Sequence, residues 1–329
     1  MRPPVRRWML AGFLGAGLGV AAAAPQAPAN PNTLGVVVTA LAPDGSALPP
    51  IETAQVAVRQ GHEPVPVTTW LPCTGANARL DLALVLDDDT RNLGSGLDDL
   101  KHFIGALPPT TAVALVYLHT STVSINQALT MDHAKAAQEL RMPSGGTSSS
   151  PSPYGSLQAL FAKWPAHPGR RREMILISDG QEHAGGNDVS NVTYQTAVAD
   201  AVRSGVVVYT IFATGSPDNM DSGALGVPLG PAGRGFAALN SSTIDANNGV
   251  QNLAGMAEAT GGQAYAQGNG TPPRLVQFLQ QIGQRMNSQY ILGFTPAPNK
   301  NGGLVGLKVE VKDSRSKITA PSEVFVPKR

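Results

Sequence analysis

The most constraining feature of this sequence is a series of short, uninterrupted apolar runs that alternate with amphipathic segments. Four such runs lie at residues 82–86, 112–118, 174–177 and 206–212. Continuous apolar runs of this length are typical of strands buried on both faces, as in a parallel sheet. The segments between and after them carry apolar residues at helical spacing, as in 97–107 and 275–286. We therefore expect an α/β fold, with a doubly wound, mostly parallel sheet and helices on both faces.

The two ends of the chain have a different pattern. Residues 34–79 and 288–329 contain short β-branched or alternating runs, bounded by turn residues. We expect these segments to meet as one small β-rich accessory module beside a central domain over 80–287. Within that domain, residues 213–250 are rich in Gly, Pro, Asn and Ser. This composition favours an irregular, disordered insertion over a recognition lid.

The N-terminus predicts export. Arg2, Arg6 and Arg7 precede an apolar, uncharged stretch and a run of alanines. A basic region, a short apolar core and small residues describe a signal peptide. We place the signal peptide at 1–23 and a linker at 24–33, with an uncleaved anchor as the alternative. The expected protein is periplasmic or secreted, with no integral membrane segment after cleavage.

Composition argues against several classes of function. Lys and Arg number 24 and Asp and Glu 23, so the formal net charge is +1, and charged residues are 14% of the chain. This balance lacks the positive footprint of a nucleic-acid-binding protein. Cys73 is the single cysteine, so no internal disulfide forms, and we expect it to be buried and inert rather than paired with another chain. No Gly-x-Ser-x-Gly or His-Glu-x-x-His motif is present, so we expect no enzyme and favour a metal-dependent hydrolase least.

Acidic residues follow two of the expected central strands. Asp87 and Asp89 come directly after 82–86, and Asp179 follows 174–177. In open α/β sheets, ligands bind outside the carboxyl ends of the strands, where the strand order reverses. We expect these carboxylates to converge there. Converging carboxylates repel one another, so they require a hard cation such as Mg²⁺ or a positive side chain.

At these residues the chain resembles von Willebrand factor type A domains. The motif Asp87-x-Asp89-x-Arg91, the loop residue Thr147 and the loop residue Asp179 lie where that family carries its metal-ion-dependent adhesion site. The resemblance implies a doubly wound sheet. It also implies a metal that receives a carboxylate from a partner protein.

The resemblance extends to the end of the chain. The closing stretch, residues 290–296 (YILGFTP), is similar to the ending of exported von Willebrand A-related proteins of soil bacteria. By this resemblance, a modified adhesion site would hold Mg²⁺, Mn²⁺ or Ca²⁺ through Asp87, Asp89, Thr147 and Asp179. The serines around Thr147, at positions 144 and 148–150, are competing ligands.

Arg91 is the main departure from the family pattern. It stands where the family has a serine, and a guanidinium cannot ligate a cation. Either Arg91 pairs with the neighbouring acids and replaces the metal, or it turns outward while Asp89 supplies an extra oxygen.

The sequence therefore favours an exported, non-enzymatic protein-interaction module. It would bind an unidentified protein ligand through an acidic side chain of that ligand. The alternative is an exported small-molecule-binding protein that uses the same edge of the sheet as a pocket. The basic run 170–172 precedes a strand and so lies at the opposite edge, where we interpret it as a solvated turn rather than a nucleic-acid patch.

Overall fold

A computed structural model describes residues 33–88, 96–119, 121–144, 152–182, 189–213, 235–266, 275–312 and 315–328. In chain order, the strands of these residues are β1 (Leu34–Leu41), β2 (Val56–Gln60), β3 (Glu63–Val65), β4 (Val67–Pro72), β5 (Leu80–Asp87), β6 (Thr111–His119), β7 (Thr122–Thr130), β8 (Arg171–Ser178), β9 (Val206–Phe212), β10 (Ala264–Tyr265), β11 (Gln289–Phe294), β12 (Gly303–Val311), β13 (Lys317–Thr319) and β14 (Glu323–Val326). The helices are α1 (Gly96–Gly105), α2 (His133–Glu139), α3 (Pro153–Lys163), α4 (Val192–Ser204), α5 (Gly235–Thr260) and α6 (Leu275–Asn287).

The central sheet has six strands in the order β10-β9-β8-β5-β6-β7. All neighbouring pairs are parallel except β6 and β7, which form an antiparallel pair at one edge of the sheet. The chain starts in the middle at β5, moves out through β6 and β7, and then returns to β8 and moves out in the other direction. This order confirms the expected doubly wound sheet, and its point of reversal lies between β5 and β8.

The two faces of this sheet have separate apolar cores, as the continuous apolar runs predict. Along β5, Leu82, Leu84 and Leu86 belong to the core on one face, whereas Ala83 and Val85 belong to the core on the other. Side chains of α1, α2 and α6 cover the first face, and side chains of α3, α4 and α5 cover the second. Both faces of the sheet are therefore shielded from water.

The two β-rich ends of the chain meet, as expected. They form two four-stranded sheets, with the orders β13-β1-β11-β4 and β14-β12-β2-β3. In the first sheet, β11 from the C-terminal end lies between β1 and β4 from the N-terminal end. One apolar core joins the two sheets, and within it Trp70 stacks on Tyr290 with ring centroids 4.5 Å apart. Each end therefore depends on the other for its core.

The long segment after β9 differs from the expectation. The expected irregular insertion covered 213–250, yet α5 begins at Gly235, so residues 235–250 are helical. Gly, Asn and Ser lower helix propensity. The C-terminal part of α5, however, packs Leu253 and Met256 into the core of the sheet, and such packing outweighs propensity. Residues 214–234 lie outside the described part of the chain.

The basic run is not a solvated turn. Arg170 pairs with the buried Asp81, and Arg171 donates from Nε to Glu173 Oε1 at 2.8 Å with 7% of its side chain exposed. The run does lie at the amino ends of the strands, as expected, since β8 begins at Arg171. Buried carboxylates draw these guanidinium groups inward, and a sequence pattern of consecutive arginines cannot reveal that.

Cys73 is buried, as expected. Burial raises the pKa of its thiol to about 11, so the reactive thiolate is scarce at neutral pH. Within the described ranges, no helix is both long enough and apolar enough to span a bilayer. The predicted signal peptide at 1–23 and most of the linker lie outside these ranges.

Candidate functional site

The carboxyl ends of β5 and β8 meet at the point where the strand order reverses. Asp87 is the last residue of β5, and Ser178 is the last residue of β8. The hydroxyl of Ser178 donates a hydrogen bond to Asp87 Oδ2 at 2.6 Å, and both residues are buried. We call the group of Asp87, Ser178 and Asp179, at the carboxyl ends of these two strands, the acidic edge. The predicted convergence of the two strand ends is therefore present, with a serine joining them.

Asp179 follows Ser178 in a tight turn. The amide of Gly180 donates to Ser178 Oγ at 3.0 Å, and the amide of Gln181 donates to Asp179 Oδ1 at 3.0 Å. Gly180 has a φ of 68°, in the left-handed region that disfavours side-chain-bearing residues. The turn thus fixes Asp179 at the end of β8, next to the strand β5 that ends in Asp87, with the local backbone as its support.

Side chains of α3 and α5 form hydrogen bonds to this turn. Tyr154 of α3 donates its hydroxyl to the carbonyl of Gly180 at 2.8 Å, and Asn252 of α5 donates to the same carbonyl at 3.3 Å. Gly249 of α5 lies so close that a Cβ on it would be 2.2 Å from the carbonyl oxygen of Asp179. Burial raises the pKa of Tyr154 well above its ordinary value, so its hydroxyl stays a donor at all physiological pH values. The position of Asp179 is therefore set by long-range packing as well as by its own turn.

A further buried carboxylate lies two residues beyond this turn. Glu182 is almost completely buried, and its Oε2 accepts a hydrogen bond from Ser152 Oγ at 2.7 Å. Ser152 is also the N-cap of α3, since its Oγ accepts from the amide of Gly155 at 3.0 Å. This hydroxyl joins the start of α3 to the segment after β8. Sequence reasoning gave neither Ser152 nor Glu182 a place in the site.

Asp88 pairs with Arg141, which follows it by 53 residues in the chain. Arg141 donates from both terminal nitrogens to Asp88, at 2.8 and 3.0 Å, and its guanidinium lies 3.8 Å from the centroid of the Tyr117 ring. The amide of Ser144 also donates to Asp88, at 3.1 Å. Burial by itself raises the pKa of Asp88, but the hydrogen bonds from Arg141 and Ser144 outweigh it and hold the pKa below its ordinary value. Asp88 is thus an ionised, neutralised carboxylate next to the acidic edge.

Two of the five predicted site residues are described by the structure. Asp87 ends β5, and Asp179 directly follows the neighbouring strand β8. Asp89, Arg91 and Thr147 lie outside the described residues. Ser178 is the addition, and the signal for it was its position directly before Asp179 at the end of an apolar run.

The donors of the acidic edge are of the type that a hard cation uses. Asp87, Ser178 and Asp179 offer carboxylate and hydroxyl oxygens, and Mg²⁺ is commonly bound by one or two carboxylates with water in its remaining positions. Within the described ranges, no group of three or more His, Cys, Asp or Glu residues is placed to hold a metal. The described residues of the edge therefore supply oxygens of the type that Mg²⁺ prefers but do not by themselves make up a metal site.

Comparisons with known proteins give matches in structure only. No protein-family model matches the sequence, and no curated protein matches it. The chain is similar to the structure of an aerotolerance-related membrane protein from Bacteroides fragilis, with 17% identity over 63% of this chain and 98% of that chain and a TM-score of 0.39. It is also similar to BatB, a conserved hypothetical protein from Bacteroides thetaiotaomicron, with 15% identity over 64% and 100% of the two chains and a TM-score of 0.40. A third similar structure is the SpRpn10 VWA domain, with 11% identity over 63% and 97% and a TM-score of 0.38. These scores and identities are low, so the fold assignment rests on the strand order and pairing.

Proposed function

We propose that this chain is an exported, non-enzymatic protein-interaction module that binds its partner at the acidic edge. The observation that carries the proposal is the hydrogen bond from Ser178 to Asp87, which joins two strand ends at the point of strand reversal. Asp179 is held beside them by its turn and by α3 and α5. A preorganised group of oxygens on rigid elements is suited to a defined contact with a partner.

The proposal includes a bound cation. In it, Asp87, Asp89, Thr147 and Asp179 form a modified adhesion site for Mg²⁺, Mn²⁺ or Ca²⁺, and an acidic side chain of the partner completes the coordination. The oxygen chemistry of Asp87 and Asp179 supports this assignment. The competing arrangement has Arg91 as the cation that neutralises the acids in place of a metal.

Titration calorimetry and thermal shift with Mg²⁺, Mn²⁺ and Ca²⁺ test the metal. We expect heat and a raised midpoint for the wild-type chain, and neither for Asp179→Asn. The matched control is Asp200→Asn, which removes a carboxylate on α4 that pairs with the exposed Arg203. If the wild-type chain shows no heat and no thermal shift with any of the three cations, the metal is excluded and Arg91 becomes the cation of the site.

The partner is tested separately from the metal. Immobilised wild-type chain and Asp179→Asn are exposed to the exported proteins of the source cells, with and without a chelator. A protein retained by the wild-type chain and lost with Asp179→Asn supports binding at the acidic edge. A protein retained equally by both chains places the interaction elsewhere on the molecule.

Export is proposed from the N-terminal sequence. We expect the mature chain to begin at Ala24, because the small residues of 21–24 follow the apolar stretch. Intact mass of the protein recovered from the periplasm or medium measures this directly. Recovery of the full-length mass from the cytosol alone would contradict export.

A further inference from the structure

A cavity of about 550 Å³ lies where the accessory module meets the central domain. The accessory module contributes residues 41–45, which form the end of β1 and the turn after it, and Lys317 of β13. The central domain contributes residues 263–266, which include β10, and one side of α6. None of the three residues of the acidic edge lines this cavity, so it is a separate place on the molecule.

The lining of this cavity contains a buried arginine. Arg285 of α6 is 7% exposed, and its Nη2 donates to the hydroxyl of Thr319 in β13 at 2.8 Å. Its Nε has no hydrogen-bond partner, and no carboxylate among the described residues forms an ion pair with it. The acid in the lining, Asp44, accepts instead from the amide and hydroxyl of Ser46 in its own turn. The described part of the chain therefore leaves the charge of Arg285 without a carboxylate.

Two other arginines show the usual arrangement in this chain. Arg171 has 7% of its side chain exposed, and its Nε donates to Glu173 at 2.8 Å. Arg170 pairs with the buried Asp81. A charge that is removed from water without a partner is strongly unfavourable. Arg285 differs from both of these arginines, and an anion in the cavity would supply the negative charge that it lacks.

The end of α6 sets the charge of that anion. Arg285 lies in the last turn of α6, where the helix dipole places a negative charge equivalent to about half an elementary charge. This partial charge offsets the guanidinium only in part. The same helix end would repel a doubly charged anion more strongly than a singly charged one. The site therefore favours a ligand with one negative charge.

The rest of the lining sets the size and character of the ligand. Tyr265 and Phe278 offer aromatic surface, with ring centroids 5.4 Å apart. Lys317, Gln281 and Gln284 are exposed and place a positive charge and two amides at the rim. A planar guanidinium is a preferred partner of a carboxylate. The volume falls within the range of about 300–1,000 Å³ that is typical of small-molecule sites.

We propose that this cavity binds a small organic carboxylate, which pairs with Arg285 and places its apolar part against Tyr265 and Phe278. The ligand would contact the accessory module and the central domain together, so its binding would stabilise the folded chain. Because the cavity shares no residue with the acidic edge, the proposal stands or falls separately from the protein-interaction function.

Binding of benzoate to the full chain tests the proposal, and benzamide serves as an uncharged probe of similar shape. Ligand-observed nuclear magnetic resonance measures the affinities, and thermal unfolding measures the stabilisation. We expect saturable binding of benzoate with a raised unfolding midpoint, and at least tenfold weaker binding of benzamide. Inorganic phosphate is the third probe, and we expect it to bind more weakly than benzoate because of its second negative charge.

Two variants locate the binding. Arg285→Met keeps the length of the side chain and removes its charge, and we expect it to weaken benzoate binding by about tenfold or more. Its matched control is Arg203→Met, in the last turn of α4, because Arg203 does not line the cavity. Lys317→Gln changes an exposed position and should weaken binding by about two- to fivefold. Its matched control is Lys312→Gln, at another exposed lysine that does not line the cavity.

The outcomes that overturn the proposal are distinct. The absence of saturable benzoate binding overturns it, as does equal binding by the wild-type chain and Arg285→Met. If Arg285→Met does not unfold cooperatively, equal binding by the wild-type chain and Lys317→Gln overturns it instead. Equal affinity for benzamide and benzoate would exclude pairing with a carboxylate. Tighter binding of phosphate than of benzoate would exclude a carboxylate as the class of ligand.

Discussion

Single buried carboxylates set how this protein responds to pH. Glu173 has no exposed surface and accepts a hydrogen bond from Arg171. Burial raises the pKa of Glu173, and the charge and hydrogen bond of Arg171 offset only part of that effect. The folded-state pKa therefore lies above the unfolded-state pKa of about 4.3. Below the unfolded-state pKa, the neutral form of Glu173 makes its full contribution to the stability of the folded chain. This contribution is lost as the pH rises through the folded-state pKa.

We predict that Glu173→Gln becomes more stable relative to wild type as the pH rises from about 4 to about 8. The amide keeps an oxygen for Arg171 and has no charge to desolvate. Urea unfolding at several pH values measures the difference in the free energy of unfolding. Glu139→Gln, the same substitution at an exposed position on α2, is the matched control. A difference for Glu173→Gln that does not change with pH would contradict the prediction.

The pKa of Asp88 is shifted in the opposite direction from that of Glu173, so its effect on stability has the opposite dependence on pH. Its pKa is lowered, so its stabilising contribution is present above the unfolded value of about 3.9 and is lost as the pH falls through the folded-state pKa. We predict that Asp88→Asn lowers the free energy of unfolding by roughly 1–2 kcal/mol at neutral pH, a modest loss because 38% of the Arg141 side chain is exposed.

The gap between wild type and Asp88→Asn should close as the pH falls below about 4. Asp200→Asn serves again as the control, because both members of the Asp200–Arg203 pair are partly exposed to solvent. It should cost less than about 0.5 kcal/mol. A loss for Asp88→Asn that persists in acid would show that shape, rather than charge, is what Asp88 contributes.

At the scale of elements, the position of α5 against the acidic edge depends on two glycines. A Cβ on Gly180 would lie 2.3 Å from the carbonyl oxygen of Gly249, and a Cβ on Gly249 would lie 2.2 Å from the carbonyl oxygen of Asp179. The helix and the turn therefore touch backbone to backbone. A side chain at either glycine would force α5 and the turn apart.

We predict that Gly249→Ala lowers the free energy of unfolding by about 1–3 kcal/mol, despite the better helix propensity of alanine, because overpacking forces the backbones apart. Gly105→Ala is the matched control, since its Cβ would meet no atom within 4 Å. It should stabilise α1 by about 0.5–1 kcal/mol. Chemical denaturation of the two variants measures both values, and a stabilised Gly249→Ala would refute the close contact.

Patterns within short stretches of the sequence predicted most of the strands and helices. Asp132 is one such local signal, because its side chain accepts from the amide of Lys135 at the N-terminus of α2. The apolar runs matched β5, β6, β8 and β9 to within a few residues. The sequence did not predict the N-terminal half of α5, because the composition of that half is typical of a loop. The contacts that hold the helix in place are made by Gly249 and Leu253, in its C-terminal half.

At the scale of the whole molecule, the accessory module and the central domain share buried polar contacts. Gln289 of β11 donates to the hydroxyl of Tyr209 at 3.0 Å, and Arg285 of α6 donates to the hydroxyl of Thr319 in β13 at 2.8 Å. The first of these contacts joins the module to the central sheet. We therefore expect the two parts to unfold together.

We predict that Leu292→Ala, in the core of the accessory module, lowers the stability of the entire chain by about 2–5 kcal/mol. Leu292 is 0% exposed, whereas Leu71 in the neighbouring strand β4 is 39% exposed and provides the control variant Leu71→Ala. Tryptophan fluorescence and far-ultraviolet circular dichroism should give one coincident transition for each protein. Two separated transitions, with only one shifted by Leu292→Ala, would mean that the module and the domain unfold independently.

The sequence by itself determined the kind of fold and the place of the acidic edge. Apolar periodicity is a local property, and the strand-end positions of Asp87 and Asp179 follow from it. Only the tertiary structure determined which arginine side chain pairs with which aspartate. Arg141 reaches Asp88 across 53 residues of chain, and Arg170 reaches Asp81 across 89. Such pairs depend on how the packed elements bring distant residues together, and no pattern within a few residues of either partner records that.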